Sequence, residues 1–233
     1  MFGLSPTELE ALRLSLKVAS WAVAIALPLA IATALVLARG RFTGHALLNG
    51  LVHLPLVLPP VVTGYALLLL LGRRGPVGAW LEETFGVVLA FRWTGAAVAA
   101  AVMGFPLMVR AIRLAMEASD RRLEEAASTL GARPAWVFLL VTLPLSVPGI
   151  LAGAVLGFAK ALGEFGATIT FVSNIPGETR TLPIAIYTFT QIPGGEASAL
   201  RLTLLAIAVS LGALLASELL ARGVSTKLYG RDA

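Results

Sequence analysis

Glu125-Ala126-Ala127-Ser128-Thr129-Leu130-Gly131, followed after nine residues by Val141-Thr142-Leu143-Pro144, decides how this chain is read. The stretch predicts a short charged helix, a turn and a second helix. Asp120 is placed to cap the first helix, and Glu124 and Glu125 fall in its opening turns, where carboxylates suit the positive end of the helix dipole. Leu123, Ala126, Ala127 and Leu130 recur at three- and four-residue intervals and make one apolar face. Gly131 is where such a helix stops, because glycine accepts the left-handed backbone of a C-terminal cap. Pro134 then suits the first turn of a second helix, and Pro144 is expected to close the unit.

On both sides of this polar unit the chain is apolar. Of 233 residues 58% are hydrophobic and 13% charged, and the mean hydropathy is +0.87. A soluble fold of this length has too little interior to hide that surface, so lipid must cover much of it. Ala, Leu, Val and Gly dominate, without the alternation of a β-barrel, which predicts an all-α bundle. Five segments are long enough to cross a bilayer: about 14–38, 46–71, 93–109 (with Val87 as an alternative start), 147–172 and 202–221. Glu8 and Glu10 precede the first, and its uncharged run from Val18 to Ala38 is too long for a signal peptide, so it reads as a retained span. Thr181–Ile192, bracketed by Pro183 and Pro193, is too short to cross and reads as an interfacial or re-entrant helix on the outer side. A sixth span exists only if it re-enters. Residues 1–233 form one membrane domain, and the coupling region covers about 110–146. Pro55, Pro59 and Pro60 should bend the second span.

The net charge of +5 comes from Lys and Arg spread over short loops, as orientation signals are, and not from a nucleic-acid-binding patch. With the N-terminus outside, ten basic residues (Arg39, Arg41, Arg110, Arg113, Arg121, Arg122, Arg133, Arg222, Lys227 and Arg231) lie inside and seven outside. The loop around Glu125 and the C-terminus are then cytoplasmic. There is no cysteine, which excludes disulfides and thiol chemistry. His45 and His53 are the only histidines, too few for a metal site. No phosphate-binding loop and no nucleophile–base pattern is present, so the chain cannot hydrolyse ATP alone.

The pattern E-A-A, three residues, G, nine residues, an aliphatic, any residue, L-P resembles the cytoplasmic coupling loop of ABC importer permeases. The resemblance implies a type I importer fold and assigns Glu125, Ala126, Ala127, Gly131, Val141, Leu143 and Pro144 to docking on a separate ATPase. The one departure is Val141 in place of isoleucine. In this reading the small alanines let the helix lie close to its partner, and Glu125 sets register through a charge-assisted hydrogen bond.

Phe158-Ala159-Lys160-Ala161-Leu162-Gly163-Glu164-Phe165-Gly166-Ala167-Thr168-Ile169 resembles bacterial molybdate importer permeases, and less closely sulfate importers. So do the stretches Leu54–Tyr65, Phe105–Arg113, Asn174–Gly177 and Thr181–Tyr187. Lys160 stands where an arginine is expected, which keeps the charge and loses the planar fork. The resemblance implies a homodimer, two ATP-binding subunits carrying ATP-Mg beneath it, and a periplasmic or extracellular molybdate-binding protein, in a bacterial inner membrane. It implies no cofactor on this chain; tungstate and sulfate are the alternative cargoes.

Read physically, Lys160 and Glu164 are ionisable groups inside a span, spaced to neutralise each other or to meet an oxyanion. Gly163 and Gly166 can kink the helix there, and a constriction near Phe165 and Thr168 is expected to seal the path. Gly149, Gly153 and Gly157, continued by Ala161, form a small-residue ridge that fits packing within one subunit or across a dimer. An ion-driven secondary transporter is the competing class.

Overall fold

The computed structural model describes residues 4–229, with side chains described as far as Ala216. Of the residues read above, Arg222 and Lys227 lie where the backbone alone is described, and Arg231 lies outside the described residues. The described residues form helices and no strands. In chain order these are α1 (Pro6–Arg39), α2 (His45–Val57), α3 (Pro60–Leu71), α4 (Pro76–Phe85), α5 (Trp93–Ala118), α6 (Arg121–Thr129), α7 (Pro134–Val137), a π turn (Phe138–Thr142), α8 (Leu143–Leu162), α9 (Gly166–Val172), α10 (Leu182–Thr190) and α11 (Glu196–Tyr229).

Four helical runs are long and apolar enough to cross a membrane, and α2 with α3 makes a fifth span bent by 112°. The break falls at Leu58–Pro59, within the proline cluster, where Pro59 and Pro60 can supply no backbone donor. Helix α10 has nine residues and crosses nothing. Its Leu182, Ile184 and Ala185 are fully buried, so it is packed into the bundle rather than lying on its surface.

The core is built on α5. Its Ala96, Ala97, Ala99 and Ala100 and the Ala19, Ala22, Ala26 and Ala30 row of α1 are buried. Such small side chains bring helix axes close without a bulky seam. The glycine ridge of α8 faces the other side of α5. A side chain at Gly149 would strike Ala115, one at Gly153 would sit 3.1 Å from the Met108 carbonyl oxygen, and one at Gly157 would sit 2.8 Å from the Met108 side chain. The ridge therefore packs within the subunit.

Two expected boundaries move. The fourth span was expected over 147–172 with Pro144 closing the preceding unit. Instead helix runs from Pro134 to Leu162 and stops, and 166–172 is a separate half-helix. Pro144 interrupts nothing because the turn before it is widened into a π turn, which leaves room for the proline ring in a continuous helix. The third span runs on from Val109 to Ala118, because Arg110 and Arg113 lie at its end, where long cationic side chains reach water. It starts at Trp93, not earlier, after a loop in which Phe91 takes φ 60°.

At the end of α1 away from the hairpin, Glu8, buried in the first turn, pairs with Arg201 of α11 at 2.7 Å. Lys17 lies 3.6 Å over the Trp93 ring. The loop before α4 is joined to that helix by an exposed pair, in which the Arg73 guanidinium holds the Glu82 carboxyl below its ordinary range.

Candidate functional site

The polar hairpin sits at the end where α1 and α5 finish. Asp120 caps α6, its Oδ1 accepting the Arg122 N–H at 2.9 Å. Gly131 takes φ +87°, the left-handed turn the sequence requires there, with nothing within 4 Å of a would-be side chain. Pro134 opens α7. Helix α6 buries none of its own residues. Leu130 is 89% exposed and Leu123 50%; Trp136, Leu139 and Leu140, at the start of the apolar Pro134–Leu162 run, are exposed as well. A soluble-facing helix with that face uncovered is built to meet another surface. Glu125, Ala126 and Gly131 are exposed with it and Ala127 half so, whereas Val141, Leu143 and Pro144 lie past the turn, half-buried at the foot of α8.

The carboxylate that organises the hairpin internally is Glu124, not Glu125. Its Oε1 accepts from Arg39 Nη2 at 2.8 Å, Arg39 Nε at 3.3 Å and Thr142 Oγ1 at 3.0 Å. Glu125 has no hydrogen bond among the described residues and remains free for an outside partner.

The second polar cluster lies where α8 stops. Gly163 is exposed, and the chain passes through Glu164 and Phe165 before α9 begins. Lys160 Nζ meets Glu164 Oε2 at 2.7 Å. The other oxygen, Oε1, accepts the Ala167 N–H at 2.9 Å. Glu164 thus caps α9 and neutralises Lys160 with one carboxylate, which satisfies groups that lipid cannot. The Glu164 side chain is 1% exposed and that of Lys160 30% exposed, so only the lysine faces open space. The Oγ1 of buried Thr168 lies 3.2 and 2.9 Å from the Glu164 and Phe165 carbonyls, which share its one proton.

The break of α8/α9 meets the bend of α2/α3. A side chain on Gly166 would touch Pro60 at 2.7 Å, and one on Gly64 would stand 2.5 Å from the Ala167 carbonyl oxygen. Phe165 stacks on Tyr187 of α10 with ring centroids 5.2 Å apart, and Tyr187 is half exposed. On the far side of α10, Asn174 links Arg180 (2.8 Å) to Thr188 (3.0 Å). The two clusters share no residue, but α8 carries Leu143 and Pro144 at its start and Lys160 in its last turn.

The family described as "Binding-protein-dependent transport system inner membrane component" matches residues 21–226. The chain belongs to that family. It is 58% identical over 228 residues to the molybdenum transport system permease protein ModB of Escherichia coli K12, covering 98% of this chain and 99% of that one. The ModB protein of Haemophilus influenzae is 56% identical, with 95% and 96% covered. The sulfate transport system permease protein CysW of Synechococcus elongatus is 38% identical, with 76% and 62% covered. A solved bacterial ABC transporter for import of the polysaccharide alginate has the same fold at TM-score 0.70 and 19% identity, covering 97% of this chain and 81% of that one. An amino acid ABC transporter matches at TM-score 0.66 and 19% identity, with 93% and 94% covered.

Within this permease, sequence reasoning missed Glu124, Arg39, Thr142 and Tyr187. Glu124 and Glu125 are neighbours of one chemistry, and a helix turns about 100° between them, so only the packing tells which points inward. Tyr187 sat in a segment read for its length and its family resemblance, not for what its side chains meet.

Proposed function

We propose that this permease is the membrane subunit of an ATP-driven molybdate importer. Two copies form one oxyanion path, two ATP-binding subunits dock on the paired hairpins, and a binding protein delivers the oxyanion from the periplasm. The observation that carries the reading is likeness to molybdenum permeases over 98% of the chain, with the hairpin's apolar face left uncovered. The hairpin and the C-terminus lie in the cytoplasm, and the body lies in the bacterial inner membrane. The chain itself is not catalytic: ATP-Mg belongs to the partner subunits, whose closure drives the hairpins together and rocks the spans from inward-open to outward-open.

In this reading Glu125, Ala126, Ala127 and Gly131 form the docking surface, and Val141, Leu143 and Pro144 carry its motion into α8. The gate lies at the 163–168 break. Gly163 and Gly166 supply the hinge, Glu164 and Thr168 hold its closed form, Phe165 seals against Tyr187, and Lys160 presents one partly neutralised positive charge to the passing anion. A path that must release its cargo needs weak contacts, and a lysine already paired with a carboxylate is weak.

The test is reconstitution with the ATPase and the binding protein. Molybdate-loaded binding protein should raise ATP turnover above the apo and sulfate-loaded forms. Equal stimulation by sulfate would move the cargo to the second reading, a sulfate importer, which the CysW likeness favours; tungstate shares charge and shape and is compared alongside. Transport by the purified chain alone, indifferent to ATP, would replace the whole reading with an ion-driven carrier.

A further inference from the structure

One carboxylate joins the exposed hairpin to the ends of three spans. Glu124 Oε1 takes Arg39 from the last turn of α1 and Thr142 from the π turn that leads into α8. The same Arg39 guanidinium donates to Ser119 Oγ at 3.0 Å, and Ser119 Oγ donates to the Met116 carbonyl at 2.8 Å, at the end of α5. Thr142 is itself buried, and its carbonyl accepts from buried Ser146 at 2.7 Å. We infer that Glu124 is the positioning residue through which movement of α6 reaches α1, α5 and α8; the inference rests on the coupling reading above.

The mechanical argument is geometric. Helix α7 runs unbroken through the π turn into α8, so a push on α7 moves α8 directly. Helix α6 has no such continuity. It buries no residue of its own. Its other described ties are the flanking chain, packing against α7 and the π turn, and one hydrogen bond to a neutral acceptor, from Arg121 Nη2 to the Ala38 carbonyl at 3.2 Å. Without the Glu124 carboxylate, α6 can swing about residues 119–120 and 130–133 while the spans stay still. A groove of about 670 Å³ between α1, α6 and the π turn leaves room for that swing. Arg39 is suited to its post because a cation at a helix C-terminus is stabilised by the dipole. The π turn is suited to its own, since one shifted hydrogen-bond register can be gained or lost without unfolding the helix.

The test uses the full complex in proteoliposomes with ATPase and binding protein, measuring molybdate taken up per ATP hydrolysed. Glu124→Gln keeps the side chain's size and removes its charge. It should leave the ATPase bound and hydrolysing while uptake per ATP falls about tenfold, within the usual range of coupling energies. Thr142→Val, which removes only the hydroxyl, should lower the ratio by a smaller factor, about threefold. The double variant should be no worse than Glu124→Gln, since both act through one contact. Thermal unfolding of each variant is followed alongside, and Arg39→Lys should restore more of the ratio than Arg39→Ala. An unchanged ratio in Glu124→Gln, loss of the ATPase from the complex, or multiplying losses in the double variant would each overturn the inference. If the unaltered complex itself fails to link uptake to ATP, the coupling reading falls and this inference with it. If that complex is coupled and Glu124→Gln is equally so, only the role of Glu124 is lost.

Discussion

The hairpin at 121–137 and the break at 163–166 are both polar interruptions of an apolar chain, yet they are built in opposite ways. In the hairpin nearly everything faces outward: α6 buries nothing, its leucines are uncovered, and Glu125 has no described partner. At the break, Glu164 and Thr168 are buried and each is hydrogen-bonded locally, and Lys160 alone looks out. An exposed helix can leave groups unsatisfied because water serves them until a partner arrives. Buried polar groups have no water to lean on and must satisfy one another. Docking surfaces and gates therefore leave different signatures, one of open apolar faces and one of closed hydrogen bonding.

Substitutions can break this contrast. Glu164→Ala removes the α9 cap and the partner of the partly exposed Lys160, and should cost about 1.5–3 kcal/mol, the usual loss of a hydrogen bond to a charged group. Thermal unfolding in detergent checks it, and Lys160→Met with Glu164→Gln should recover most of the loss. A stable Glu164→Ala protein would show that the break does not depend on its carboxylate. Next comes Gly64→Val, which drives a side chain into the Ala167 carbonyl region and should cost about 1–3 kcal/mol by overpacking. Its uptake should fall even at temperatures where it stays folded, because α3 carries α9.

Smaller effects on stability belong to the hairpin. Gly131→Val meets no neighbour, but its backbone is held at φ +87°. The strain should amount to about 1–2 kcal/mol, with ATPase docking weakened in a pull-down and the membrane body intact. Leu130→Ser, at a position 89% exposed, should change unfolding by no more than about 0.5 kcal/mol. The same variant should bind the ATPase more weakly, as removal of an apolar anchor from an interface does. Equal ATPase affinity would mean that the uncovered face meets something else.

Much of the hairpin was legible because its signals are local. The Asp120 cap, the Gly131 turn and the Pro134 start each depend on a few consecutive residues, and each sits where the sequence places it. The bend at Pro59 and the Lys160–Glu164 pair were legible for the same reason. The π turn was not, since Phe138-Leu139-Leu140-Val141-Thr142 has the composition of any apolar helix and its register depends on what packs around it. Nor was the full stop after Leu162: the glycines announce weakness, but whether the helix kinks or ends depends on whether Glu164 can fold over to cap the next one. The ridge of Gly149, Gly153 and Gly157 specified close packing without its partner, and only the fold assigns it to α5.

The central claim is that force made by a separate ATPase enters through the uncovered hairpin. Its most direct test is Glu125→Lys in the reconstituted complex, with uptake, ATP turnover and ATPase retention measured on the same vesicles. The account predicts that uptake collapses and ATP turnover no longer responds to loaded binding protein, while the permease stays folded in the bilayer. Full uptake with the ATPase still bound would contradict it.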